Sequence, residues 1–181
     1  MFKDGARYNG IGPWMKEYFG GRTVKLAIDG GFTCPNRDGT LSSDGCIFCS
    51  SRGSGDFTSD QRLSITEQMR AQVEIMSEKW RSARFIAYFQ NYTNTYAPAA
   101  ALMRRYSEAL SFPGCCGIAI ATRPDCLSNE VVALLSDLNK KTFLWVELGL
   151  QTSNDSTAEI INRCCTTSVY DDAVKRLTSA G

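Results

Sequence analysis

Val24-Lys25-Leu26-Ala27-Ile28-Asp29-Gly30-Gly31 is a short apolar, partly β-branched run stopped by an acid and two glycines. That is the pattern of a β-strand entering a loop. The unit recurs along the chain. After a Gly-, Ser-, Asp- and Cys-rich stretch over 32–63, the capping-box pattern Ser64-Ile65-Thr66-Glu67 opens a helix with Ile65, Met69, Val73, Met76 and Trp80 at helical spacing. A second strand is predicted over 85–89. An Ala-rich helix follows to Leu110, with Pro98 in its first turn. The third strand covers 118–121, and Ser128 caps a helix carrying Val131, Val132, Leu134, Leu135 and Leu138. The fourth covers 143–148 and is apolar on both faces except at Glu147. Short helices over 156–162 and 170–177 come last, the second behind a capping box of Ser168 and Asp171. Four strand–helix units with near-continuous apolar strands predict an α/β fold, a parallel sheet covered by helices. An open doubly wound sheet and part of a (β/α) barrel both satisfy the pattern. Either way the ligand site is expected at the carboxyl ends of the strands.

Composition sets the outer bounds. The 181 residues carry 20 Lys+Arg against 19 Asp+Glu, a formal net charge of +1, with 43% hydrophobic and 22% charged residues. That suits one globular domain and excludes a disordered or collagen-like chain. Near-neutrality gives no long-range attraction to nucleic acid or anionic lipid. There is no His, which removes Ser-His-Asp and Cys-His nucleophile pairs, HExxH zinc chemistry and axial His ligation of haem. No secretory signal or ~20-residue apolar span is visible, so a cytoplasmic protein without membrane partners is expected. In a reducing compartment its eight Cys read as metal ligands or free thiols.

Cys34, Cys46 and Cys49 fall in the loop after the first strand. Cys46-Ile47-Phe48-Cys49 is a CxxC turn able to bring two thiolates to one metal centre, and Cys34 stands eleven intervening residues upstream. Three thiolates suit an iron–sulfur cluster with one iron left free. A structural zinc site needs a fourth ligand, and the next Cys is Cys115. Spacing alone leaves both readings standing. The vicinal pairs Cys115-Cys116 and Cys164-Cys165 read as small packed residues. At the other strand ends stand Gln90-Asn91-Tyr92-Thr93, Thr122-Arg123-Pro124-Asp125 and Glu147-Leu148-Gly149-Leu150-Gln151, so all four loops can meet at one site.

Gly31-Phe-Thr-Cys-Pro-Asn-Arg-Asp-Gly-Thr and Gly45-Cys-Ile-Phe-Cys resemble the cluster loop of a bacterial radical SAM subfamily whose core is shared with the catalytic subunit of Elongator. Ala87-Tyr-Phe-Gln, Thr93-Asn-Thr-Tyr-Ala-Pro, Thr122-Arg-Pro-Asp-Cys-Leu and Trp145-Val-Glu-Leu-Gly-Leu-Gln-Thr resemble its other motifs in the same order. The resemblance implies a partial TIM-type barrel over 22–181, incomplete at its C-terminus, behind an N-terminal extension over 1–21. It implies a [4Fe–4S] cluster on Cys34, Cys46 and Cys49, with S-adenosylmethionine (SAM) chelating the fourth iron and reductively cleaved to a hydrogen-abstracting 5′-deoxyadenosyl radical.

SAM contacts are expected from Phe48, Gln90, Asn91, Tyr92, Thr93, Thr122, Arg123, Glu147 and Gln151. Each has a plainer alternative: loop packing for Phe48, a pair with Asp125 for Arg123, a salt bridge to Arg123 or Arg163 for Glu147, a surface loop for Gln151. A one-electron donor such as flavodoxin or ferredoxin is the implied partner, and RNA is one candidate substrate. Two departures stand out. The cluster spacing is longer than the usual C-x3-C-x2-C, and Cys164-Cys165-Thr166 stands where the subfamily has Gly-His-Thr. The alternatives kept are a zinc-stabilised RNA-binding module, with Arg81, Arg84, Tyr88, Arg104, Arg105 and Tyr106 as scattered contacts, and a non-catalytic remnant that still binds cluster and SAM.

Overall fold

A computed structural model describes residues 7–55, 58–76 and 84–181. Trp80 and Arg81 lie outside them. Four strands form one sheet in the order β1-β2-β3-β4: β1 (Thr23–Ile28), β2 (Arg84–Phe89), β3 (Cys115–Thr122) and β4 (Phe143–Leu148). All three pairings are parallel, with Leu26 opposite Ala87, Tyr88 opposite Ala119 and Ala121 opposite Glu147. The crossovers contain α2 (Ile65–Met76), α3 (Ala99–Leu110) and α4 (Asn129–Asn139); α5 (Asp155–Ile160) and α6 (Thr167–Ser179) follow β4. This is the parallel α/β arrangement of a partial (β/α) barrel.

Strand alternation divides the sheet into two faces. Leu26, Ile28, Ala87, Phe89, Ile118 and Ile120 point outward into the main core, where they meet Met69, Leu102, Tyr106, Val131 and Leu135 from the helices. The other face carries Lys25, Ile86, Tyr88, Ala119, Phe143, Trp145 and Glu147. Its lower half is closed by α1 (Ile11–Tyr18), whose Met15 and the following Phe19 pack on Ile86 and Ala119. Sequence periodicity gave no sign of α1. Its start, Gly10-Ile11-Gly12-Pro13, is rich in helix-breaking residues, and its anchorage is tertiary: Phe19 meets the Phe143 ring edge-on at 5.1 Å.

Several expected ends move. Pro98 is the N-cap of α3 and not in its first turn, and β3 begins three residues earlier than predicted, at Cys115. Asn154 caps α5, and α6 starts at Thr167 without the Ser168 capping box. Asp155 replaces that cap from a distance, its Oδ1 accepting the Thr167 N–H at 2.8 Å. Cys115 and Cys116 are consecutive in a strand, so one packs with each face.

The free edge of β1 is covered at its carboxyl end. Ala27 and Asp29 turn their N–H and C=O groups away from β2, and two glutamines of α2 receive them. Gln72 accepts from the Ala27 N–H (2.8 Å) and donates to its carbonyl (2.5 Å). Gln68 does the same for Asp29 at 2.9 and 3.0 Å. Each side-chain amide thus stands in for a neighbouring strand, a standard answer to the exposed-edge problem.

Candidate functional site

The carboxyl ends of the strands open on a cavity of about 330 Å³. Its wall is built from the loops after all four strands. Cys34, Cys46, Phe48 and Cys49 come from the first, Gln90, Tyr92 and Thr93 from the second, Thr122 and Arg123 from the third. Glu147, Gly149 and Gln151 close it from the fourth, with Arg163 beyond α5. Every residue expected to hold the cluster or touch SAM lines it except Asn91. That side chain is buried behind the wall, donating to Asp29 Oδ2 at 2.7 Å and Thr58 Oγ1 at 3.1 Å.

The cysteine loop is fixed by backbone turns and by two distant segments. Cys34 O accepts the N–H groups of Arg37 and Asp38, and Cys46 O that of Cys49 at 3.0 Å, closing the CxxC turn. Gly45 precedes Cys46 with φ +74, and a Cβ there would lie 2.8 Å from Arg37 Nε. The turn therefore demands glycine. Arg37 spans the loop, donating to Cys49 O and Ser50 O. From the second strand end, Gln90 donates to Ser54 O and Tyr92 to Ser51 O, which ties both side chains to the loop.

The second clamp lies between α5 and α6. Asn162 Nδ2 donates to Gly45 O at 2.7 Å, and Ile161 O accepts the Ile47 N–H. Asn36, fully buried, donates to Asn162 O at 2.6 Å and to Cys46 Sγ at 3.4 Å. The Cys46 thiol is held down to about 5, chiefly by its hydrogen bond with Cys49, against burial; Asn36 and the guanidinium groups of Arg163 and Arg123 add to the effect. As the partner that keeps the proton, Cys49 is pushed up.

Arg123 pairs with Asp125 through two hydrogen bonds of 2.8 and 2.7 Å, the plainer of the two expectations for it. Burial opposes its charge, but Asp125 outweighs burial and keeps it protonated. Glu147 meets neither Arg123 nor Arg163. Its carboxylate pairs with Lys25 and accepts the Tyr88 hydroxyl at 2.6 Å, while the Lys25 ammonium sits 4.4 and 4.6 Å from the Tyr88 and Trp145 ring centres. Burial and the Glu147 hydrogen bond push the Tyr88 phenol up, so it stays a donor. Sequence reasoning missed Lys25 because it lies 122 residues from its partner. An interior cation in an otherwise apolar strand was the available signal.

A zinc ion binds its thiolates at ~2.3 Å, which packs them tightly round one point. Among the described residues no three Cys, Asp or Glu side chains converge that closely. All three cysteines line the cavity, with Cys46 and Cys49 close enough to share a hydrogen bond.

Residues 33–181 match the family model of the Radical SAM superfamily. The chain is 45% identical over 175 residues to "Uncharacterized protein YtqA" of Bacillus subtilis, which covers 97% of this chain and 54% of that protein. It is 39% identical over 156 residues to "Protein YhcC" of Escherichia coli K12, covering 86% and 49%. With "Uncharacterized protein MJ0486" of Methanocaldococcus jannaschii the figures are 32% over 167 residues, 90% and 50%. The chain thus spans about half the length of these relatives. No described helix is long and apolar enough to cross a membrane.

Proposed function

The chain belongs to the radical SAM superfamily, and from that premise we propose that its cavity holds a [4Fe–4S] cluster on Cys34, Cys46 and Cys49 with SAM beside it. The observation that carries this is that all three thiols line the one cavity to which all four strand ends contribute. The donor set fits. Three sulfurs leave a fourth iron to an organic ligand, and three polar atoms on the same wall are buried without a partner: Thr93 Oγ1, Arg123 Nη1 and Arg163 Nε. When bound, the pair supplies reductive cleavage of SAM and a 5′-deoxyadenosyl radical for hydrogen abstraction from a substrate.

The protein's own part is orientation. Gly45 and the Asn36–Asn162 clamp hold Cys46, Arg37 holds the Cys49 end of the turn, and Tyr92 and Gln90 brace the loop behind them. Phe48, half-exposed at the rim, offers a ring face to a nucleoside base. Glu147 presents a carboxylate already oriented by Lys25 and Tyr88. Thr122 is held by a hydroxyl contact of 2.5 Å with Thr95. A small one-electron donor of the flavodoxin or ferredoxin class completes the system.

Anaerobic reconstitution with iron and sulfide tests the reading. The expected product is brown and holds about four irons per chain. Its reduced-state electron paramagnetic resonance signal changes on adding SAM, and dithionite releases 5′-deoxyadenosine. A chain that takes up zinc but no iron under these conditions sinks the proposal.

A further inference from the structure

Asn36 is fully buried beside Cys46, and its amide nitrogen serves two acceptors at once. Nδ2 donates to Asn162 O at 2.6 Å and to Cys46 Sγ at 3.4 Å. Because both neighbours accept, the reverse orientation would set Oδ1 against a carbonyl and a sulfur, and the amide has one favourable placing. That placing leaves Oδ1 buried without a partner. An orphaned acceptor is costly in a dry interior, and what the fold gains for it is an N–H aimed at a ligand sulfur.

Holding the loop does not require this bond. The Gly45 N–H donates to Asn36 O at 2.8 Å, the Ile47 N–H to Ile161 O at 3.2 Å and the Cys49 N–H to Cys46 O at 3.0 Å, so backbone bonds already fix Cys46 from both sides. Asn162 Nδ2 ties Gly45 O as well. The partner that orients the amide is itself set: Asn162 holds left-handed backbone, φ 52, and its carbonyl receives Asn36. What the Asn36–sulfur contact adds is an effect on the sulfur's electrons.

We infer that Asn36 tunes the reduction potential of the site: its amide N–H withdraws electron density from the Cys46 sulfur and favours the reduced, more negative state of the cluster. The inference rests on the cluster–SAM reading above and adds to it the residue that sets how readily the cluster takes its electron. Hydrogen bonds to the sulfurs are among the levers on iron–sulfur potentials, and burial in low dielectric strengthens this one. Because it acts through Cys46, Asn36 is a tuning residue and not a catalytic one.

The test is a redox titration read by electron paramagnetic resonance on the anaerobically reconstituted chain, in wild type, Asn36→Leu and Asn162→Gly. Leu keeps the branched shape of Asn without the donor. Asn162→Gly loosens the clamp but keeps the carbonyl that orients Asn36. Asn36→Leu is expected to hold as much iron as wild type and to be harder to reduce. Its reduced-to-oxidised ratio at a fixed poise falls roughly tenfold, about 59 mV for one electron, while Asn162→Gly leaves the ratio unchanged. A second measurement does not depend on Asn36→Leu. With asparagine labelled by 15N at the side-chain amide, pulsed resonance on the reduced wild-type cluster shows a nitrogen coupling, which persists in Asn162→Gly.

An unmoved potential in Asn36→Leu, an equal fall in Asn162→Gly, or a wild-type cluster without the 15N coupling overturns the inference. If Asn36→Leu takes up no cluster, the coupling decides alone. Wild type that forms no cluster sinks the underlying reading and this inference with it, whereas a wild-type cluster indifferent to Asn36 sinks the inference only.

Discussion

Cys34, Cys46 and Cys49 differ in how tightly the fold holds them. Cys46 is buried and bonded to Asn36, whereas Cys34 and Cys49 are only partly buried. Replacing any one with Ala is expected to abolish iron uptake, read as iron and sulfide per chain. Only Cys46→Ala should also destabilise the iron-free chain, by about 1 kcal/mol in denaturant melts. Asn162 offers a sharper case. Asn162→Ala loses the bond to Gly45 and must hold φ 52, at a cost of about 2 kcal/mol, while Asn162→Gly keeps the backbone and costs about half that. Urea midpoints of the two variants separate backbone strain from the lost hydrogen bond. The cysteine trio was readable from sequence because its spacing is local. The Asn36–Cys46 bond was not, since its geometry depends on the left-handed backbone of Asn162, 126 residues downstream of Asn36. Asn91 shows the opposite failure: it sits within a motif that lines the cavity, yet faces away from it.

Among the elements, β1 and α2 depend on each other most directly. Gln68 and Gln72 are buried and take up the outward-facing backbone groups of Asp29 and Ala27, at the carboxyl end of β1. Gln72→Leu keeps the volume but strips partners from both Ala27 groups, and a drop of about 1–3 kcal/mol is expected from the orphaned backbone. Light scattering during refolding should rise in the same variant, because an uncovered strand edge templates association. The strands and main helices were legible because their periods of 2 and 3.6 are written in apolar residues. Glutamines on a buried helix face were not, since their partners are backbone groups that no pattern marks. Helix α1 escaped for a related reason: its Met15 and the adjoining Phe19 gain burial only against Ile86, Ala119 and Phe143.

On the scale of the molecule, the outer core under the helices was foreseeable, but the inner face was not: aromatic rings from α1 and β4 below, the Lys25–Glu147–Tyr88 network above. Tyr88→Phe removes one of the two groups on the half-buried Glu147 carboxylate and should lower the melting temperature by a few degrees, consistent with about 1 kcal/mol. Cluster loading should act more widely, because a group that binds only the folded chain stabilises it by mass action. A raised melting temperature and slower proteolysis at Arg52 upon loading are the expected signs. The clamp between Asn36 and Asn162 joins positions 126 apart. A ribosome adding about 5–20 residues per second therefore exposes the sulfurs for about 6–25 seconds before their keeper is made. During that interval the nascent thiols stand open to oxygen and stray copper, with nothing in the chain yet made to hold their loop in place.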